Sequence, residues 1–323
     1  ERSLSPIKQA VIWADIPKEV ILKNMELGKV TPLGDSVPPL RTDILEETTG
    51  VVAQMGIEPI LEALENGAQL IVCGRAYDPS PFAAAGVFHG FDEGLAYHLG
   101  KVLECGALCC EPGTTKDCMM GVLYEDCFEV YPTNPQRKCT TVSVAAHTFY
   151  EKDHPYILQG PGIVLNLENC EFIDMGEGRV RVKGSRLERT PVYEIKLEGA
   201  RRVAYRTFVI AGVRDPLLIE KIEEVEELVK SSVMKQYHEI PQDRYQINFY
   251  NYGKNGVMGA LEPKNRPGHE LGVLFEVIAK TQSEASALCS SVRSTFMHYG
   301  YEVHGGQSGF SLCTKRCGVW TGI

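Results

Sequence analysis

Apolar positions along this chain change their rhythm near residue 112. Before it, short apolar runs alternate with stretches of helical spacing. Residues 10–16, AVIWADI, read as a buried strand that the chain enters almost at once. Residues 17–28 follow as a helix, with Pro17 in the first turn and Gly28 as the stop. Residues 30–43 are rich in Pro and Gly and predict a loop. Apolar spacing over 57–67 predicts a helix that feeds a strand at Leu70–Val72. A further helix is predicted over 91–110, with Asp92 and Glu93 at its start, where negative charge is favoured. Alternation of this kind predicts a parallel α/β sheet.

Beyond residue 112 the spacing becomes that of strands. Residues 119–132 read as extended chain with a turn at Glu125–Asp126, and residues 140–151 as a short helical turn. Five apolar runs between 155 and 212, broken by Gly, Asn and Asp, predict a β-rich stretch. A long helix is predicted over 215–237, with Leu217, Ile219, Ile222, Val225 and Val229 as its apolar stripe. Strands at 245–253 and 270–280 and a helix at 283–299 complete the pattern. Two portions are expected, 1–112 and 113–323, either as separate domains or as parts of one.

Composition narrows the class. At 323 residues and 44% hydrophobic content the chain can bury a sizeable core. The formal net charge is −9 and no long basic run occurs, so nucleic acid is not an expected partner. No apolar run is long enough to span a bilayer, and the first residues lack the order of a signal peptide. A cytoplasmic protein without a membrane partner is expected. Eleven cysteines are many for that setting, and six lie between Cys105 and Cys139 without a C-x-x-C pair. They are read as free thiols packing as small hydrophobes, and no metal is assigned. Cys313 and Cys317 form a C-x3-C pair near the end.

Candidate chemistry clusters after the strand at Leu70–Val72. Gly74 ends that strand, and Arg75 and Asp78 follow, which puts both at the carboxyl edge where α/β proteins bind ligands. Arg75 can grip a carboxylate or phosphate, and Asp78 can orient it or act as a base. Alternatively the two simply close the turn. No dinucleotide or P-loop glycine motif is present. On the next helix His98 and Cys105 share a face, which suits either a core histidine or an acid–base group, while Glu104 at the helix end opposes the local dipole and either has a specific partner or is simply solvated. Ser143 and His147 lie four apart, without a nucleophile elbow, so Ser143 is a substrate contact or a helix cap and His147 an acid–base candidate. Gly212–Pro216 repeats the order strand, Gly, Arg, Asp. Asp215 suits an N-cap there, which leaves Arg214 to face a ligand. The glycine-rich stretch 251–263, with Asn255 and Gly256, can cradle an anion through its amides or be a plain hairpin loop. Glu262, His269 and Glu270 match no standard zinc spacing.

GAQLIVCGRAYDPS, GLAYHLGKVLECGA, SVAAHTFYE, IKLEG, GVRDP and NGVMGALEP occur here in that order. Together they resemble the acyclic terpene utilisation protein A family over about residues 10–300. The resemblance implies a place in citronellol and geraniol breakdown, or branched acyl-CoA breakdown, and not a particular reaction. It implies a glycine-containing strand–loop upstream of this chain's first strand. It also implies an Asn-Leu-Ala-Phe-Pro segment near the end, where this chain reads GGQSGFSLCTKRCGVWTGI. Codons for Gly306 to Ser311 with the first base of Leu312, read one base later, can encode Ala-Asn-Leu-Ala-Phe-Pro, so a frameshifted tail is expected. Sequencing the coding DNA tests this.

The expected fold is α/β, a Rossmann-like, mostly parallel sheet followed by a β-rich α+β portion. The expected function is a lyase, hydratase or hydrolase of terpenoid or acyl-CoA catabolism, acting on a small carboxylate or acyl-CoA. Asp78, His98 and His147 are its catalytic candidates. Gly74, Arg75, Ser143, Arg214, Asn255 and Gly256 are its substrate contacts. The other reading is a non-catalytic subunit or scaffold for a biotin-dependent acyl-CoA carboxylase, motivated by family members fused to carboxyltransferase-like domains. No cofactor is specified, and a homo-oligomer is compatible with either reading.

Overall fold

The computed structural model describes residues 7–150, 154–264, 266–303, 307–310 and 320–322. Two compact units divide the chain, Glu1–Arg202 and Val203–Ile323.

The first unit opens with β1 (Gln9–Ile12), α1 (Lys18–Glu26), α2 (Thr42–Glu47), β2 (Thr48–Ala53), α3 (Glu58–Glu65) and β3 (Leu70–Cys73). Helices α4 (Ser80–Phe88) and α5 (Glu93–Leu103) follow, then β4 (Met119–Leu123), β5 (Cys127–Pro132) and α6 (Thr141–Thr148). Five short strands come next: β6 (Ile157–Gly160), β7 (Ile163–Asn166), β8 (Glu171–Asp174), β9 (Val180–Lys183) and β10 (Arg186–Arg189). The unit closes with β11 (Leu197–Arg201).

Helix α5 is the hub of this unit. Asp92 caps its start by accepting from the Leu95 amide at 2.9 Å. Every residue from Gly94 to Val102 is buried. Leu95, Leu99 and Val102 pack with Phe128, Val130 and Val182. Ala96 and Tyr97 join a second cluster with Ile57, Ile60, Ile163 and Leu165. One helix therefore seals two cores, which is why His98 and Lys101 are buried along with its apolar residues.

The mostly parallel sheet expected before residue 112 does not form among the described residues. Among the described strands only β1 and β3 pair in parallel, with one isolated parallel bridge between Met55 and Ala76. β2 pairs antiparallel with β11, and the orders β10-β7-β6 and β4-β5-β9-β8 are antiparallel throughout. An apolar run reports that a strand is buried, not which strand lies beside it or in which direction. Helix α5, before residue 112, shares a continuous core with β5 and β9, after it. On the β1–β3 pair, Val11 (56% exposed) and Val72 (52%) keep one face open, with Trp13 (80%) just beyond β1.

The second unit contains β12 (Tyr205–Val213), α7 (Pro216–Glu220), α8 (Ile222–Gln236), β13 (Tyr245–Tyr252), β14 (Leu271–Ala279) and α9 (Gln282–His298). β15 (Gly300–Val303) and β16 (Gln307–Phe310) pair with each other, and β17 (Trp320–Gly322) pairs with β12. The main sheet has the order β13-β14-β12-β17. Val225, Val229 and Val233 of α8 and Leu288, Val292 and Phe296 of α9 pack with it in a single core. The long helix predicted over 215–237 breaks at Lys221, whose backbone leaves helical geometry. The break turns Leu217 outward and buries Leu218 in its place, while Ile219 is buried as the stripe predicts. Thr281 and Glu284 start α9 as a capping box. Cys313 and Cys317 fall outside the described residues.

Candidate functional site

The turn after β3 is built by close backbone approach. Gly74 extends the parallel ladder by donating to the Ile12 carbonyl at 2.8 Å. A Cβ on Gly74 would stand 2.8 Å from both the backbone nitrogen and Cβ of Ala14, so only glycine fits. The Met55 amide donates to the Arg75 carbonyl (3.2 Å), and the Tyr77 amide donates back to Met55 (2.9 Å). This bridge turns the Arg75 and Asp78 side chains outward from the strand end.

Arg75 is held on two sides by carboxylates. Its Nε donates to Glu198 Oε2 at 3.0 Å and its Nη2 to Glu198 Oε1 at 3.2 Å. Its Nη1 donates to Asp78 Oδ1 at 2.7 Å and to the Ala76 carbonyl at 2.9 Å. Glu198 also accepts from Gln54 Nε2 at 2.6 Å. The hydrogen bond from Arg75, then that from Gln54, holds the Glu198 carboxyl below its ordinary range. Glu198 was not singled out by sequence reasoning. It lies 123 residues from Arg75 and meets it only because β11 pairs with β2. Asp78 keeps 57% of its side chain exposed. Beside this cluster, Thr49, Gly50, Val52, Glu198, Gly199 and Ala200 line a shallow, open depression of about 410 Å³.

Beneath the turn lies a buried ion pair. Gly100 of α5 has no Cβ, and one placed there would stand 2.6 Å from the Pro79 carbonyl oxygen. That vacancy lets α5 press against the turn. At the next residue, Lys101 Nζ donates to Glu104 Oε1 at 2.5 Å, with side chains 8% and 9% exposed. Of the two readings of Glu104, a specific partner holds: it pairs with Lys101, a residue the sequence reading passed over. Burial, then the nearby negative charges of Glu104 and Asp78, push the Tyr77 hydroxyl well above its usual range.

The two histidines occupy core positions. His98 is fully buried, with Nδ1 2.8 Å from Ser185 Oγ and Nε2 3.0 Å from Thr148 Oγ1. Its ring stands edge-on to Phe128 at 5.1 Å. His147 on α6 is 5% exposed, and its ring stacks on Tyr150 at 6.0 Å. Ser143 is turned toward the start of α6, accepting from the Thr140 amide at 3.0 Å and donating to the Thr140 carbonyl at 3.1 Å. Its hydroxyl completes a capping box.

Arg214, Asn255 and Gly256 belong to the second unit. Asp215 caps α7 through the Leu218 amide at 2.9 Å, while Arg214 Nη1 donates to the His269 carbonyl at 2.8 Å. The amides of Lys254, Asn255 and Gly256 all donate to the Asn251 carbonyl, and Gly259 donates to Asn255. The loop therefore spends these amides on its own carbonyls. Asn255 Nδ2 donates to Glu223 at 3.3 Å. Among the described residues, Glu262, His269 and Glu270 do not converge as a ligand group.

Fold and site together define a mixed α/β protein with an Arg–Asp–Glu cluster at the carboxyl end of a parallel strand. The chain belongs to the family described as "Acyclic terpene utilisation family protein AtuA", whose family model matches residues 3–120 and 131–317. No curated protein and no solved structure matches the chain. No helix of the described residues is long and apolar enough to cross a membrane.

Proposed function

We propose that this chain is an enzyme of acyclic terpenoid or branched acyl-CoA breakdown, of lyase, hydratase or hydrolase type, with Asp78 as its acid–base group. The observation that carries this reading is the Asp78 carboxylate, exposed at a strand end with one oxygen fixed by Arg75. Strand-end turns are where α/β proteins bring reacting groups to ligands. The family's name supplies the terpenoid context. In this reading Glu198 is the counter-ion that an anionic substrate replaces on Arg75, with the adjoining depression as the approach. Gly74 lets the turn close. His98 and His147 act behind it by holding α5 and α6 in place.

A thermal-shift screen of branched acyl-CoAs and terpenoid acids tests the reading. A ligand at a hundred times its Kd stabilises the fold by about 2.7 kcal/mol. Arg75→Ala is expected to abolish the shift, and Asp78→Asn to keep it while losing turnover. No shift with any member of the panel rejects the proposal.

The scaffold reading has one observation in its favour, the open apolar face made by Val11, Trp13 and Val72. Co-purification with a biotin-dependent carboxylase subunit, lost in Trp13→Glu, would select it.

A further inference from the structure

The sulfur-bearing side chains between Cys109 and Cys139 form a cluster that the proposed reaction does not use. We propose that Cys109, Cys110 and Cys139 are a binding site for one thiophilic d10 cation, Cu(I) or Zn(II), with the Met119 thioether at its edge.

The three Sγ atoms lie within 4.8 Å of one another, and all three residues are buried. Cys110 Sγ is 3.7 Å from Cys139 Sγ and 3.2 Å from Met119 Sδ. Thiolates bound at about 2.3 Å to a tetrahedral ion stand about 3.8 Å apart. The cluster is therefore already close to the edge length of a thiolate coordination shell. A core cysteine packing as a small hydrophobe needs no second sulfur beside it, whereas here four sulfurs from three places in the chain meet. Thiolate and thioether donors select Cu(I) and Zn(II) over hard cations such as Mg(II) or Ca(II).

The backbone holds the ligands in place independently of any ion. Cys109 ends a short 3-10 turn (Gly106–Cys109), and Cys110 follows it. Cys139 immediately precedes Thr140, the N-cap of α6. An antiparallel bridge joins the residues next to Cys110 and Cys139. The Glu111 amide donates to Lys138 at 2.8 Å, and the Lys138 amide donates to Glu111 at 3.2 Å. The Cys139 amide donates to Gly178 at 2.9 Å. Arg137 ties the same loops together by donating to Asp117 and to the Pro112 carbonyl. Three thiolates carry three negative charges, of which Zn(II) leaves one uncompensated and Cu(I) two. The positive end of α6 lies beside Cys139 and favours that charge. Glu111 and Lys138 are exposed, so only the short bridge separates the sulfurs from solvent on that side. On binding, each thiol gives its proton to solvent and its sulfur lone pair to the ion, so no oxidant or reductant is needed.

The test uses the whole chain, reduced and stripped with a chelator, then titrated with Zn(II) or with Cu(I) delivered from a weak complex. Binding of one equivalent is expected, with X-ray absorption showing at least three sulfur neighbours at about 2.3 Å. Cys139→Ser is expected to weaken binding at least tenfold. Cys118→Ser, at an exposed cysteine, is expected to leave it unchanged. Met119→Leu separates the arms, because it lowers affinity for Cu(I) and spares Zn(II). A shell of nitrogen and oxygen, no stoichiometric uptake of either ion, or equal loss in Cys118→Ser would overturn the proposal. The wild-type coordination shell decides the matter even where Cys139→Ser does not fold.

Discussion

Glu226 lies on α8 with only 6% of its surface exposed. Burial pushes its carboxyl up to about 7, against a hydrogen bond from Asn251 that lowers it. From the ordinary glutamate range up to about 7, the folded protein keeps a proton that the unfolded chain has released. Stability contributed by this group is therefore full at low pH and is lost as the pH rises through that window. Glu226→Gln is expected to flatten the pH dependence of urea unfolding and to stabilise the protein at pH 8 by an amount on the order of 3 kcal/mol. An unchanged slope in the variant would contradict this assignment. Other residue-scale features divide sharply in how legible they were. The Arg75–Asp78 pair is local, three residues apart, and sequence order alone brought it out. The partners of His98 are Ser185, 87 residues away, and Thr148, 50 residues away. Nothing in the spacing around His98 could name them, so its burial and its saturated nitrogens became visible only once the chain had folded.

Among the elements, α5 shows how a mixed sequence becomes a buried helix. Its glycines and alanine provide close approach, and its buried His98 and Lys101 bond to other side chains of the unit. Two predictions follow from its packing. Gly100→Ala is expected to destabilise the first unit by about 1–3 kcal/mol in urea unfolding, because the new methyl meets the Pro79 backbone, which has no flexible end to move aside. Lys101→Met is expected to cost about 3–5 kcal/mol by leaving Glu104 buried without its lysine. The double variant Lys101→Met/Glu104→Leu should regain most of that loss, and a double variant as unstable as the single one would remove the ion pair from the account. Element types were largely legible. The helices at α1, α3, α5, α6 and α9 and the strands β3, β7, β8 and β14 lie where periodicity and turn residues predict them. Strand partners were not. β2 and β3 are both short strands, yet one pairs antiparallel with β11 and the other parallel with β1.

For the whole molecule, the division falls between Arg202 and Val203. Residues 202–204 carry no regular structure and Val203 is 68% exposed, so trypsin under native conditions is expected to cut first after Arg202. Two protected fragments should result, detected by mass spectrometry, and thermal unfolding of the intact chain should show two transitions. A single early cut near residue 112 would contradict the division, since α5 and β5 share one core across that point.

Sequence alone determined the class of most elements, the family, and the local chemistry of the β3 turn. Each rests on information held within a few residues: period, turn formers, and the order of short motifs. Only the tertiary structure decided that Glu198 faces Arg75, that Lys101 and Glu104 are buried together, and that the sulfurs of Cys109, Cys110 and Cys139 meet. The physical reason is common to all three. A hydrophobic pattern states which face of an element leaves water, but what it then packs against is set by closure of chain segments tens to more than a hundred residues apart.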